Sequence, residues 1–323
     1  MRNMKRTKVI MGMMLVLSLM FVFFGHEKTE AVTADLLMGT GGVAGVWYPL
    51  GGAICAAMSD GKGITVTVQA TGGSVENIRT VASGERDFGM TSNSFAAHAY
   101  EGVATFDGEA MKNIRGVISF SPSVVQFLVR EESDIFELKD FKGKRFGVGA
   151  IGSGDEANAR MFLKAVGLSY DDVDEMMLSV AEQVTAFKDR KIDIIFMTAS
   201  LPTSGAMDAA ASEKVRFIAI KGQEKEAVLE LNPYFAPATI TSKHYSFVKE
   251  DVETLSSPAL LVTNADLDEE VVYQALKNMF AKVDTLKQAH SSMKDFSVEG
   301  ALVGMTVPLH PGAERFFKEA GVL

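Results

Sequence analysis

The feature that most constrains this chain is an order of elements that occurs twice. Residues 64–92 begin with "ITVTVQA", which alternates and is β-branched like a strand, and continue through "TGGS", a helical pattern and "FGMTS". Residues 144–200 contain a strand, a glycine-rich turn and helical patterns, and end on "IIFMTAS". Strands that alternate with helices pair in parallel and pack their sheet against those helices. The sequence therefore predicts two α/β lobes with similar parallel-sheet cores.

The helical patterns of the two halves also align without gaps, residues 74–87 on residues 180–193. The aligned pairs include Glu76 with Glu182, Asn77 with Gln183, Ile78 with Val184, Val81 with Phe187, and Asp87 with Asp193. This match supports two related lobes, and it is also compatible with convergence on one pattern.

Two apolar stretches, "VVQFLVR" (124–130) and "ALLVTNA" (259–265), are predicted to connect the lobes. A chain that leaves one lobe and returns to it needs two crossings, so both stretches are interpreted as crossing strands. The C-terminal helices, including "EEVVYQALKNMFAKV", would then complete the first lobe. The predicted organisation is a signal peptide at 1–34, lobe 1 at 35–123, lobe 2 at 124–258, and the return crossing with the rest of lobe 1 at 259–323.

The N-terminus has the composition of a secretory signal. Four basic residues occur within the first eight positions, an uncharged run covers residues 9–24, and the small residues Ala31 and Ala34 follow. The run is shorter than the roughly 20 residues that cross a bilayer comfortably. We therefore predict an exported, periplasmic protein with a cleaved signal; the alternative is an uncleaved membrane anchor.

Composition excludes several classes of protein. The chain has 323 residues, of which 47% are hydrophobic, enough for a sizeable core. Its net charge is −9 and Lys and Arg cluster only at the N-terminus, which argues against binding to nucleic acid. Cys55 is the only cysteine, so an internal disulfide is excluded, and we interpret it as a small buried residue on a helix.

Two glycine patterns raise the possibility of a dinucleotide site. Residues 39–44 and 147–152 both fit G-x-G-x-x-G/A after a strand. Such a site also needs an acid at the end of the next strand, and the chain has Gln69 and Ser179 there. The five histidines are scattered without metal-ligand spacing, and no nucleophile motif is present. We predict no catalytic residue, no metal and no cofactor.

Three glycine-rich turns, at residues 40–42, 71–74 and 152–154, come after predicted strands and before predicted helices. The unpaired N–H groups at helix N-termini bind anions, and open α/β sheets place their ligand at this edge. The turns therefore predict a site for a small anion between the lobes; each turn taken alone is also consistent with ordinary helix capping. Asp155 and Glu156 lie in a first helical turn, where the helix dipole favours acids.

The chain resembles the TAXI-type solute-binding proteins of TRAP transporters. The motifs that carry this resemblance are "GTGGVAGVWYPLGG" (39–52), "VQATGGSVENIRTVASGERDFGM" (68–90), "KGKRFGVGAIGSG" (142–154), "TNADLDEEVVY" (263–273) and "LHPGAERFFKEAG" (309–321). The chain departs from the family at Ala199 and Ser200, where glycines are usual. The resemblance implies an α/β, two-lobed type II periplasmic-binding-protein (Venus flytrap) fold with two hinge strands. It also implies a monomeric protein that captures a small carboxylate, glutamate-like or an oxo-acid, and delivers it to TRAP permease subunits.

The residues predicted to bind the solute come from the turns, from the aromatic pair of the first motif and from the strand ends of both lobes. They are Thr40, Gly41, Gly42, Trp47, Tyr48, Thr71, Gly73, Ser74, Ser92, Asn93, Ser153, Gly154, Thr198 and Ser200. Two other functions stay open at this point. One is a ligand-sensing module for a membrane receptor, which would share the fold, and the other is an exported enzyme.

Overall fold

The computed structural model describes residues 32–43 and 45–323, so most of the predicted signal peptide and Ala44 lie outside the described residues. The strands are β1 (Ala34–Gly39), β2 (Ile64–Gln69), β3 (Phe88–Ser92), β4 (Ile114–Arg130), β5 (Arg145–Gly147), β6 (Asp174–Met176), β7 (Ile194–Ala199), β8 (Val215–Phe217), β9 (Ala236–Ile240) and β10 (Val252–Asn264). The α-helices are α1 (Trp47–Met58), α2 (Ser74–Ala82), α3 (Asn93–Glu101), α4 (Gly154–Ala165), α5 (Val180–Lys188), α6 (Ser204–Ser212), α7 (Gly222–Leu231), α8 (Glu269–Phe280), α9 (Val283–Ala289) and α10 (Pro311–Glu319).

The strands form one sheet in the order β2-β1-β3-β10-β4-β7-β5-β6. On one side β1 pairs in parallel with β2 and β3, and on the other β5 pairs in parallel with β6 and β7. We call the part built on β1–β3 the first lobe and the part built on β5–β7 the second lobe. The two parallel-sheet cores predicted from the repeated element order are therefore present.

The long strands β4 and β10 connect the two lobes. They pair antiparallel with each other, and β10 also pairs with β3 through residues 259–263 and with β9 through residues 252–256. Residues 124–129 of β4 pair with β7. β4 contains the whole predicted segment 124–130, and β10 contains the predicted segment 259–265 except Ala265. Both strands also extend further toward their N-terminal ends. The residue limits of the two lobes stay a prediction.

Each lobe has its own apolar core. In the second lobe the ring of Phe127 stacks on that of Phe196, with centroids 4.6 Å apart, and meets the edge of Phe162 at 5.3 Å. In the first lobe the buried side chains of α2 and α3, including Ile78 and Phe95, pack on β10. Burial of side chains of this size stabilises the fold by about 1.5–3 kcal/mol each. The cores hold fixed the strand ends and helix starts that border the gap between the lobes.

The aligned amide side chains Asn77 and Gln183 both bond to the backbone of neighbouring strands or of residues just after them, although with different partners. The Asn77 side-chain amide on α2 donates to the carbonyls of Thr40 and Met90, each at 2.7 Å. Gln183 on α5 donates to the Leu178 carbonyl at 3.0 Å and accepts from the Phe196 amide at 2.9 Å. Both side chains are fully buried, so each links its helix to the strand ends beside it.

The glycines and acids of the repeat are equivalent too. A Cβ atom on Gly39 would lie 2.4 Å from Asn77 Oδ1, and one on Gly147 would lie 2.6 Å from Gln183 Oε1. Asp87 Oδ2 accepts from the Leu37 amide at 2.8 Å, just as Asp193 Oδ2 accepts from the Arg145 amide at 3.0 Å. These glycines therefore make room for a buried amide on the second helix after them, which accounts for the first glycine of each pattern that fits a dinucleotide motif.

Candidate binding cavity

A cavity of about 330 Å³ lies between the two lobes. This is the lower end of the range for small-molecule sites, about 300–1,000 Å³. Most of the residues predicted from the sequence line it: Gly41, Gly42, Trp47, Thr71, Gly73, Ser74, Ser92, Ser153, Gly154 and Thr198. The structure thus brings together turns that are more than 100 residues apart in sequence.

The other predicted residues do not line the cavity: Thr40, Tyr48, Asn93 and Ser200. The Thr40 hydroxyl donates to the Gln69 carbonyl at 2.7 Å, and the side chain is fully buried. The Ser200 hydroxyl, also fully buried, accepts from the Ser121 hydroxyl at 2.9 Å. Both side chains therefore hold strand ends in place, below the surface that a ligand would touch.

Four helix N-termini reach the cavity. The lining includes Trp47, Ser74, Gly154 and Val180, which are the first residues of α1, α2, α4 and α5. The turn at residues 40–42 differs from the prediction, because α1 begins only at Trp47 and Gly42 stays in the preceding loop. The partial positive charges of several helices are therefore directed at one small space.

The α5 turn was not among the predicted binding turns. Ser179 is the N-cap of α5, where its hydroxyl accepts from the Glu182 amide and Glu182 Oε2 accepts from the Ser179 amide at 2.8 Å. The gapless alignment of the two helical patterns places Ser179 opposite Gly73, and that correspondence was the available signal for this turn.

The turn at residues 71–74 is held by its own hydrogen bonds. Thr71 Oγ1 accepts from the Gly73 amide at 3.1 Å, and Glu76 Oε2 accepts from the Gly72 amide at 2.7 Å. Gly73 has a φ of 107°, a conformation that favours glycine, and it occupies the N-cap position of α2. Ser74 is thus the first residue of the helix. Its oxygen accepts from the Ser92 amide at 3.2 Å, which leaves its hydroxyl hydrogen available to a ligand.

The two lobes touch beside the cavity. A Cβ atom on Gly154 of the second lobe would lie 3.0 Å from Cε2 of Phe95 and 3.0 Å from the Ser74 hydroxyl, both in the first lobe. A Cβ atom on Gly72 would lie 3.6 Å from the Ile151 carbonyl oxygen of the second lobe. Glycine at position 154 therefore permits a close approach that a side chain there would hinder, whereas the contact at Gly72 is an ordinary van der Waals distance.

Asp155 is the one titratable side chain among the described residues that line the cavity, and none of those residues is Lys or Arg. Its Oδ1 accepts from the Thr198 amide at 2.9 Å, which joins the start of α4 to the end of β7. Burial raises the pKa of Asp155 from its ordinary value of 3.8 to about 7, and the Thr198 hydrogen bond opposes that rise. The part of its surface that stays open faces the cavity.

Three polar side-chain atoms in the lining have no hydrogen-bond partner among the described residues: Ser123 Oγ, Trp47 Nε1 and Thr198 Oγ1. Ser123 lies on the connecting strand β4 and is 1% exposed. A buried hydroxyl or indole N–H without a partner is unfavourable, so all three groups are positioned to bond a ligand. Ser123 was missed because nothing in "SPSVV" distinguishes it from its neighbours. Apolar side chains such as Phe95 and Met197 complete the wall.

Two arginines that follow the predicted turns in the sequence are paired with acids. Arg79 on α2 pairs with Glu109, and Arg160 on α4 pairs with Glu156, both at exposed positions. Within the described residues, no group of three or more His, Cys, Asp or Glu side chains could hold a metal ion. No helix in that same part of the chain is long and apolar enough to cross a membrane.

Residues 38–321 match the model of a family described as the NMT1-like family. A solved protein from Bordetella bronchiseptica RB50 is similar over 86% of this chain and 84% of its own, with 16% identity and a TM-score of 0.52. The substrate binding protein of an amino acid ABC transporter is similar over 81% of this chain and 99% of its own, with 10% identity and a TM-score of 0.50. These similarities show the two-lobed fold of periplasmic binding proteins. The alkanesulfonate-binding protein SsuA from Xanthomonas axonopodis pv. citri is similar over 90% of this chain and 85% of its own, with 16% identity and a TM-score of 0.49.

Proposed function

The chain belongs to the NMT1-like family, and on that premise we propose that it is an extracytoplasmic solute-binding protein. It captures a small carboxylate, glutamate-like or an oxo-acid, in the cavity between its lobes. The observation that carries the proposal is the convergence on one cavity of helix N-termini from both lobes. A ligand held by both lobes stabilises their closed arrangement, which is how hinge-closing binding proteins trap a solute.

The carboxylate is supported by the chemistry of the donors. The lining offers backbone N–H groups, several hydroxyls and the Trp47 indole, but no Lys or Arg among its described members. N–H groups at helix N-termini bind carboxylates and phosphates alike. A carboxylate has the size and single charge that such a set accommodates in about 330 Å³ beside apolar walls. Binding without turnover fits the cavity, because its one titratable group has no second acid and no His, Lys or Cys beside it in the described lining.

Native mass spectrometry of the protein as purified tests this proposal. We expect a bound species whose excess mass is that of a small carboxylic acid, released on denaturation and confirmed by re-addition. A retained ligand without a carboxyl group, together with no binding of carboxylates by calorimetry, would overturn it.

Delivery to TRAP permease subunits is the destination that we propose for the solute, with the protein in the periplasm after removal of residues 1–34. Both proposals rest on the motif resemblance. N-terminal sequencing of the protein recovered from cells tests the export step, for which we expect a start near Val32 or Asp35. Solute uptake into vesicles that contain the permease tests delivery, since uptake should require this protein.

A further inference from the structure

We infer that Asp155 selects among carboxylates, so that the preferred solute is a 2-amino acid and the matching 2-oxo acid is disfavoured. The inference rests on the proposed function and narrows it. It makes Asp155 a specificity-determining residue that contacts a positively charged or hydrogen-donating group on the solute.

The first step is the balance of charge in the cavity. The helix N-termini supply partial positive charge for one carboxylate, whereas Asp155, once ionised above its pKa of about 7, places a full negative charge on the wall of the same small space. Two carboxylates that share a site repel each other unless a proton or a cation lies between them. The described lining contains no Lys or Arg, so at pH 8, where Asp155 is mostly ionised, the cation has to come from the solute. The ammonium group of an amino acid supplies it, and the carbonyl of an oxo acid does not.

The fold itself does not require the negative charge of Asp155. The Thr198 amide donates one hydrogen bond to a carboxylate that can accept about four. An Asn would accept the same bond, so the contact between α4 and β7 does not require a charge. The neighbouring acid Glu156 is paired with Arg160, and on the opposite lobe Glu76 is paired with Arg86. These arginines are therefore engaged outside the lining and leave Asp155 unneutralised.

Other polar groups in the lining can donate hydrogen bonds but carry no charge. Ser123 Oγ and Trp47 Nε1 are unpaired and face the same cavity. Both can donate to a carboxylate, and neither can neutralise Asp155. The donor set thus recognises an anion, and the carboxylate of Asp155 is the complementary acceptor for a cation. This combination matches a zwitterion.

The test measures binding of three matched pairs by calorimetry at pH 8: L-alanine with pyruvate, L-leucine with 4-methyl-2-oxopentanoate, and L-glutamate with 2-oxoglutarate. For the pair whose size fits the cavity, we expect the amino acid to bind at least about tenfold more tightly than the oxo acid. This ratio corresponds to the binding free energy of one hydrogen bond to a charged group. Asp155→Asn should weaken binding of the amino acid by about ten- to a hundredfold. It should leave binding of the oxo acid unchanged or make it tighter. Glu156→Gln, which removes the adjacent acid outside the lining, should leave the ratio unchanged.

A measurement on the unaltered protein guards against a variant that does not fold. Near pH 5.5 Asp155 is protonated, because its pKa is about 7, so the preference for the amino acid should shrink there. An oxo acid that binds more tightly at pH 8, or a ratio that Asp155→Asn does not move, overturns the inference and leaves the proposed function in place. If no member of any pair binds and the retained ligand has no carboxyl group, both are overturned.

Discussion

Closure of the two lobes can be tested at one glycine. Gly154 opens α4, and a Cβ atom there would lie 3.0 Å from both Phe95 Cε2 and Ser74 Oγ, and 3.1 Å from Ser74 Cβ. Unstrained carbon contacts are about 3.5–4.0 Å, so Gly154→Ala requires the side chains of Phe95 and Ser74 to give way by a few tenths of an ångström at the contact between the lobes. The backbone of Gly154 is not in the left-handed region, and Ala is the better helix former. The substitution therefore acts against closure and not against folding.

The expected size follows from the cost of overpacking, about 1–3 kcal/mol. In an open form of the protein, Gly154 is separated from Phe95 and Ser74, so the overpacking penalty is absent. The penalty then falls on the ligand-bound, closed form alone, and the dissociation constant should rise by about 5- to 150-fold. Thermal stability without ligand should be unchanged or slightly higher, since Gly in a helix is less stable than Ala by up to about 1 kcal/mol.

Calorimetry with the solute identified by native mass spectrometry gives the affinity, and calorimetric melting gives the stability. Gly52→Ala is the matched control, because Gly52 lies within α1 and a Cβ atom there would meet nothing within 4 Å. It should raise stability by a similar amount and leave affinity unchanged. Wild-type affinity in Gly154→Ala would refute the reasoning, since the lobes would then bind solute without this close approach.

Three further outcomes are expected. Ser74→Ala should weaken solute binding by about ten- to a hundredfold, the loss of one hydrogen bond to a charged group, as titration calorimetry would show, and it also leaves the Ser92 amide without its acceptor. Asp155→Asn should stabilise the fold relative to wild type, and increasingly so as the pH rises from 4 to 8, because a carboxyl whose folded pKa is raised opposes folding once ionised. The rise in pKa from 3.8 to about 7 limits the gain in unfolding free energy to about 4 kcal/mol at pH 8, which urea unfolding measures. Cys55 is 3% exposed and burial raises its pKa to about 12, so a thiol reagent at pH 8 should label it only as fast as the protein unfolds.

The repeated order of strands and helices could be predicted from the sequence because the packing of each helix on its strands requires particular residue types at fixed positions. A glycine at the end of a parallel strand, a buried amide on the second helix after it and an acid just past that helix occur in both lobes. Gly39 and Gly147 illustrate this, since each leaves room for the amide of Asn77 or Gln183. The element order and the two connecting strands followed from such signals, and ten of the predicted binding residues line the cavity.

The residues that sequence reasoning misplaced depend on side-chain direction and on loop length. Thr40 and Ser200 lie at strand ends as predicted, yet their hydroxyls turn to Gln69 and Ser121 inside the protein. The helix α1 begins several residues after Gly42, because the intervening segment includes a turn between Gly42 and Gly45. One residue of difference on a strand reverses the face that a side chain occupies, and no composition signal reports that reversal.

Asp155 shows why a residue type does not fix its role. An acid in the first turn of a helix is favoured by the helix dipole, and Glu156 beside it has the same local preference. Only the assembled fold separates them, because α4 directs Asp155 to the cavity and leaves Glu156 to pair with Arg160. The first lobe has no counterpart, since α1 and α2 begin with Trp47 and Ser74 where α4 begins with Gly154 and Asp155. The two lobes thus share a scaffold, and of the described residues that line the cavity only one, in the second lobe, is an acid.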